Sequence, residues 1–326
     1  MKLLFIYSFT DRGGVSGKQY FNIGLVNAFK KSKEIEFYGL PYADLMTSFG
    51  REVMNKRIVE FAKDYKADVV FMQYIDAGDI TVESVKEISK VSQVIIWSGD
   101  MYVPKVMPFV FDYAPYVVSC FSNMDYISEL RQAGYKAEYL NHYCEDIFKP
   151  VIVDKKYDIT FIGSNFTRYP LSKLRYDMVE FLHDNYGERF NLFGDGWPEK
   201  FNAKFIGREE SNLVYNQSKI AIHSSNLESP LYFSDRLLHI LSSETFCIAE
   251  YFPQAETLFE DLVHLMYFSP KEWFKELKIL IDYYLQYNNE FKRNNMAHEG
   301  RKRCVELFGD EALVRKILLI HDEHKN

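Results

Sequence analysis

Residues with the chemistry to meet an oxyanion lie where apolar runs give way to small residues. Ser234-Asp235-Arg236 opens a helical stretch with a serine able to cap it, free backbone N–H groups behind, and a permanently charged guanidinium. That set suits a phosphate, and it also suits an ordinary capped surface helix. Gly163-Ser164 ends the apolar run from Tyr157, so backbone can approach a phosphate closely. Arg168, four residues beyond Ser164, adds charge there or simply stands in solvent. Gly194-Asp195-Gly196-Trp197 allows tight turns, with an indole that suits either a nucleotide pocket or a hydrophobic edge. Gly13-Gly14, after the first apolar run, permits the same close approach or only a tight turn. His223, beside Ser224-Ser225-Asn226, suits a buried hydrogen bond better than a phosphate contact.

Such loops need strands to hold them. Leu3 to Ser8 is a short apolar run of the kind found in a buried parallel strand, and Lys18 to Lys31 then carries apolar residues at helical spacing. The alternation continues with strands expected at 35–40, 68–73, 94–97 and 116–120, and helices near 52–65 and 82–89. It restarts at Tyr157 with strands at 157–162, 190–193, 204–206 and 220–224. Helices are expected there at 171–185, 211–216, 235–243 and 273–288, followed by a charged helical tail from 296 to 324. Strands alternating with helices imply two doubly wound, Rossmann-like α/β domains, 1–150 and 151–300, with 301–326 as a terminal helix. Ligands of open α/β sheets sit at the carboxyl ends of the strands, where these loops lie.

The composition narrows the chemistry. At 326 residues the chain fits two domains at about 150 residues each. A net charge of −7 opposes binding to a polyanion, so nucleic acid is not the expected partner. Cys120, Cys144, Cys247 and Cys304 lie far apart without a CxxC pair, which points to reduced thiols in the cytoplasm. No run of ~18 apolar residues suggests a transmembrane segment. No GxGxxG, P-loop or HExxH is present, and no His and carboxylate cluster has metal-ligand spacing, so no metal and no cofactor are expected.

Residues 116–150, YVVSCFSNMDYISELRQAGYKAEYLNHYCEDIFKP, resemble the segment that closes the N-terminal domain of GT-B glycosyltransferases. His142-Tyr143-Cys144-Glu145-Asp146 stands where that family often has Pro-Asn-Gly-Val-Asp, without its glycine. YDITFIGSNFTRYP, LFGDGW and SDRLLHILSSETFCIAEYFPQAETLFED resemble the spore-maturation-protein (CgeB-like) branch. The resemblance implies a GT-B architecture, two Rossmann-like domains facing across a cleft, with the acceptor held by the first and a nucleotide-sugar, UDP-sugar foremost, by the second. It implies that the terminal helix packs back on the first domain.

It further implies that the helix opening at Ser234, Asp235 and Arg236 faces the donor diphosphate, and that Gly207 and Arg208 neighbour the base. His239 replaces a glutamate that binds the ribose in many members, and Glu244 replaces a common glycine. Asp100, in Trp97-Ser98-Gly99-Asp100, takes the acid/base position, though a lone Asp after a strand serves equally as a turn residue. The expected function is transfer of a sugar to an acceptor hydroxyl of a cell-surface glycan, a lipid-linked glycan or a protein. A nucleotide-sugar 2-epimerase, a non-catalytic binding homologue and a phage-type DNA-base glycosyltransferase are the rival readings.

Overall fold

The computed structural model describes residues 1–8, 20–74, 78–99 and 105–325. Eleven strands are described: β1 Lys2–Tyr7, β2 Glu36–Pro41, β3 Val69–Gln73, β4 Gln93–Ser98, β5 Val118–Phe121, β6 Ala137–Tyr139, β7 Tyr157–Ile162, β8 Phe190–Phe193, β9 Ser218–His223, β10 Cys247–Glu250 and β11 Met266–Phe268. The helices are α1 Tyr20–Lys31, α2 Tyr42–Tyr65, α3 Val82–Ile88, α4 Pro108–Tyr113, α5 Met124–Gln132, α6 Ser172–Tyr186, α7 Arg208–Asn216, α8 Arg236–Ser242, α9 Trp273–Tyr284, α10 Glu290–Phe308 and α11 Asp310–Glu323.

The strands form two parallel sheets, ordered β2-β1-β3-β4-β5-β6 and β11-β10-β9-β7-β8. Two compact units follow: Met1–Asn141 with Asp310–Asn326, and His142–Gly309. Within the first unit α11 lies against α1, where Lys31 pairs with Asp310 at 2.7 Å. Among the described residues no helix is long and apolar enough to cross a membrane.

The core of the second unit comes from alternation along its strands. Ile159, Phe161, Ile220, Ile222 and Ile248 point to one face, where they pack with Met178, Val179 and Leu182 of α6 and Leu277 and Ile281 of α9. Ala221, Cys247 and Ala249 point to the other, against Leu237, Leu238 and Leu241 of α8 and Cys304 of α10. Burial on both faces explains why stretches such as Ile220–Ile222 and Cys247–Ala249 are apolar at every position.

Two expected elements differ, and two strands were not expected. The strand expected at 204–206 is a single bridge between Phe193 and Lys204. Asn202 just before it takes a left-handed φ of 48°, and Gly207 just after it opens α7, which leaves too few residues for a ladder. Strands β10 and β11, only four and three residues long, had no period to reveal them. The expected helical tail is two helices, broken at Gly309, where a Cβ would stand 2.5 Å from the Val305 carbonyl oxygen.

Candidate functional site

The order of the second sheet reverses at β7. From it the chain runs to β8 on one side and then returns to β9 on the other. Loops leaving β7 and β9 therefore diverge and open a crevice at the carboxyl ends of both strands, the usual ligand position in such sheets.

Two close backbone approaches build its first wall. Gly163 N–H donates to the Phe193 carbonyl at 2.8 Å, and Gly194, at a φ of 127°, lies so near that a Cβ there would fall 2.4 Å from the Gly163 oxygen. Only glycine serves at that position. Trp197 Nε1 donates to the same Gly163 oxygen at 2.7 Å while its ring packs against Phe161, Tyr176 and Phe201. Gly196, at a φ of 77°, is close to Asn165, whose carbonyl oxygen would lie 2.9 Å from a Cβ there. The indole is thus a strut beneath the Gly163-Ser164 loop.

Arg175 of α6 joins the two loops from below. Its guanidinium donates to the Ser164 carbonyl at 3.2 Å and to the Ser224 carbonyl at 2.7 Å, with only 1% of the residue exposed. Burial, then the charge of Arg236, lowers it to about 9, so it stays cationic at neutral pH. Glu250, ending β10, accepts from Ser224 Oγ at 2.8 Å, and burial pushes its carboxyl up to about 7. His223, ending β9, is held at about 3 by burial and by Arg236 and Arg175, so its imidazole is neutral. Its Nε2 stands 3.1 Å from Ser234 Oγ.

Arg236 completes the crevice. Its Nε lies 3.8 Å from where a Cβ on Gly163 would be. Among the described residues its half-buried side chain has neither hydrogen bond nor ion pair. An unpaired guanidinium between a second arginine and a neutral histidine is a site for an anion.

A second cluster stands beside it. Arg208, first residue of α7, donates to Glu145 and, at 3.0 Å, to Asp235. His239 Nε2 lies 3.2 Å from Glu145 and 3.7 Å from Asp235, and its ring stacks on Phe148 at 3.8 Å. Burial opposes the charge on Glu145 and Asp235, but His239 and Arg208 outweigh it and hold both carboxyls below their ordinary range. Glu145, Asp235 and His239 thus gather as three donors of the kind that bind metals, contrary to the expectation that no such cluster exists, and the cation among them is Arg208. A second such group, Glu138, Glu323 and His324, lies in the first unit.

The fold therefore brings Gly163, Ser164, Gly196, Trp197, Ser234 and Arg236 to one crevice, and Gly207, Arg208, Asp235 and His239 to the adjoining cluster. Ser234 does not cap α8; its hydroxyl faces His223, and the residue at the cap, Asp235, makes no side-chain cap bond. Arg168 is exposed and lies over its neighbour Tyr169, 5.2 Å from the ring centre. Gly13, Gly14 and Asp100 lie outside the described residues.

Arg175, Glu250 and Glu145 did not stand out as site residues in the sequence. One signal existed: Arg175 precedes Met178, Val179 and Leu182 at helical spacing, placing a charge on the buried stripe. Glu250 and Glu145 had none.

Residues 175–318 match the model of a family described as glycosyl transferase-like. No curated protein matches the chain by sequence. Among solved structures, HepE of Anabaena in complex with UDP aligns over 99% of this chain and 100% of that one, with a TM-score of 0.65 and 13% identity. Sucrose-phosphate synthase of Thermosynechococcus elongatus aligns over 99% and 98%, at a TM-score of 0.65 and 11% identity. A glycosyltransferase of Rickettsia africae covers the same shares at 0.63 and 15%. At such identities the likeness is one of fold. The chain has the GT-B fold of these glycosyltransferases, two Rossmann-like α/β domains, and its residues 175–318 are similar to a glycosyl transferase-like family.

Proposed function

We propose that the chain is a metal-independent glycosyltransferase that moves a sugar from a UDP-sugar to an acceptor hydroxyl of a glycoconjugate. The observation that carries this reading is Arg236, a guanidinium without a protein partner among the described residues, at the point where the sheet order reverses. HepE has been solved with UDP and with UDP-glucose, and the same fold here supports a donor of that kind.

As the glycosidic bond breaks, negative charge grows on the leaving diphosphate. Arg236 stabilises that charge, Arg175 adds its field from beneath, and neutral His223 leaves it undisturbed. Gly163 and Ser164 let backbone approach the phosphates, and Arg168 supplies charge at the rim. Arginines, not a metal, answer the diphosphate. Asp100, following β4, serves as acid/base group toward the acceptor. Ser234-Asp235-Arg236-Leu237-Leu238-His239 supports the CgeB-like branch. Four free cysteines support a cytoplasmic setting.

Calorimetry in EDTA with UDP, UDP-glucose and GDP, CDP, dTDP and ADP sugars tests it. Wild type should bind the uridine ligands, and Arg236→Ala should weaken them about tenfold to a hundredfold, the loss of one charge-assisted contact. Equal binding by wild type and variant would place the donor elsewhere, and no binding by wild type would defeat the proposed activity.

A further inference from the structure

Sequence placement sets Arg208 beside the donor base, yet its guanidinium is already engaged. It donates to Glu145 and to Asp235, at 3.0 Å to the latter. With two carboxylates bound to it, that guanidinium has no unanswered charge left for a diphosphate. Arg236 differs, having no partner among the described residues.

The two arginines are nonetheless connected. Asp235 immediately precedes Arg236, and α8, only seven residues long, starts without a side-chain cap. Such a short helix has little rigidity of its own. Its start is fixed from outside, by Arg208 on Asp235 and by His239, one turn on, which bonds Glu145 and stacks on Phe148. The clamp spans Glu145 before β7, Arg208 on α7 and Asp235 at α8, so three separate segments meet at one guanidinium.

We propose that Arg208 is a positioning residue: held by Glu145 and Asp235, it fixes the start of α8 and so aims Arg236 at the diphosphate without meeting the donor itself. The inference rests on the reading that a UDP-sugar binds at Arg236. It gives Asp235 and Glu145 the same supporting role.

A double-mutant cycle read by calorimetry with UDP tests it on the full chain, using Arg208→Met, Arg236→Ala and the pair. Arg208→Met should weaken UDP about tenfold, whereas in the Arg236→Ala background the same change should alter affinity less than about twofold, because nothing remains to be aimed. Arg208→Lys, which keeps one carboxylate contact, should recover part of the loss and takes its place in the cycle if the methionine variant does not fold. Equal losses in both backgrounds would mean that Arg208 touches the donor directly, and the proposal falls while the proposed function stands. An Arg208→Met protein that binds UDP like wild type would also overturn it. A wild type that binds no uridine nucleotide would defeat the proposed function and this role together.

Discussion

Glu250 offers a prediction whose size follows from its surroundings. The residue is 5% exposed, its carboxylate accepts one hydroxyl bond from Ser224, and burial raises it to about 7 against an ordinary 4.5. A raised acid binds its proton more tightly in the folded state, so stability is fully present below the unfolded value and falls as pH rises through the folded one. At about 1.36 kcal/mol per pH unit, ionising Glu250 in place costs about 3 kcal/mol by pH 8.5. About 1 kcal/mol of that is already spent at pH 5, so about 2–3 kcal/mol develops between pH 5 and 8.5. Glu250→Gln keeps the shape and an oxygen for Ser224 but never ionises. Urea unfolding followed through Trp197 and Trp273, both in the second unit, should show the variant gaining on wild type by about 2–3 kcal/mol between pH 5 and 8.5. A gap that stays constant with pH would refute the argument, since it would mean that Glu250 titrates alike in both states.

Two further predictions test the scaffold. Gly194→Ala forces a Cβ to within 2.4 Å of the Gly163 oxygen at a φ of 127°, and should cost about 2–4 kcal/mol in urea unfolding while weakening UDP. Unchanged stability would show that the loops can part freely. Glu244→Gly removes an exposed contact to His298 but relieves a left-handed φ of 54°, and should stabilise by about 0.5 kcal/mol. A loss above about 1 kcal/mol would show that the ion pairs of Glu244 with His298 and Arg301 outweigh its strain.

Much of the architecture was legible in the chain. Short, largely apolar runs such as Tyr157–Ile162 and Phe190–Phe193, closed by small residues, suit strands covered on both faces, and their alternation with amphipathic stretches leads to parallel sheets. Small residues after those runs marked the loops at the strand ends, and Gly163, Ser164 and Arg236 do meet there. These signals are local, carried by residues within a few positions of one another. What tertiary structure alone decided is which charges cancel. Arg208 and Arg236 look alike in sequence, yet one meets carboxylates 63 and 27 residues away, and the other meets none among the described residues. His239, expected at the ribose, is buried against Phe148 and Glu145, and Trp197 braces Gly163 from beneath. Such pairings depend on sheet order and on loops that diverge at β7, and no spacing along the chain encodes the distance between groups on different strands.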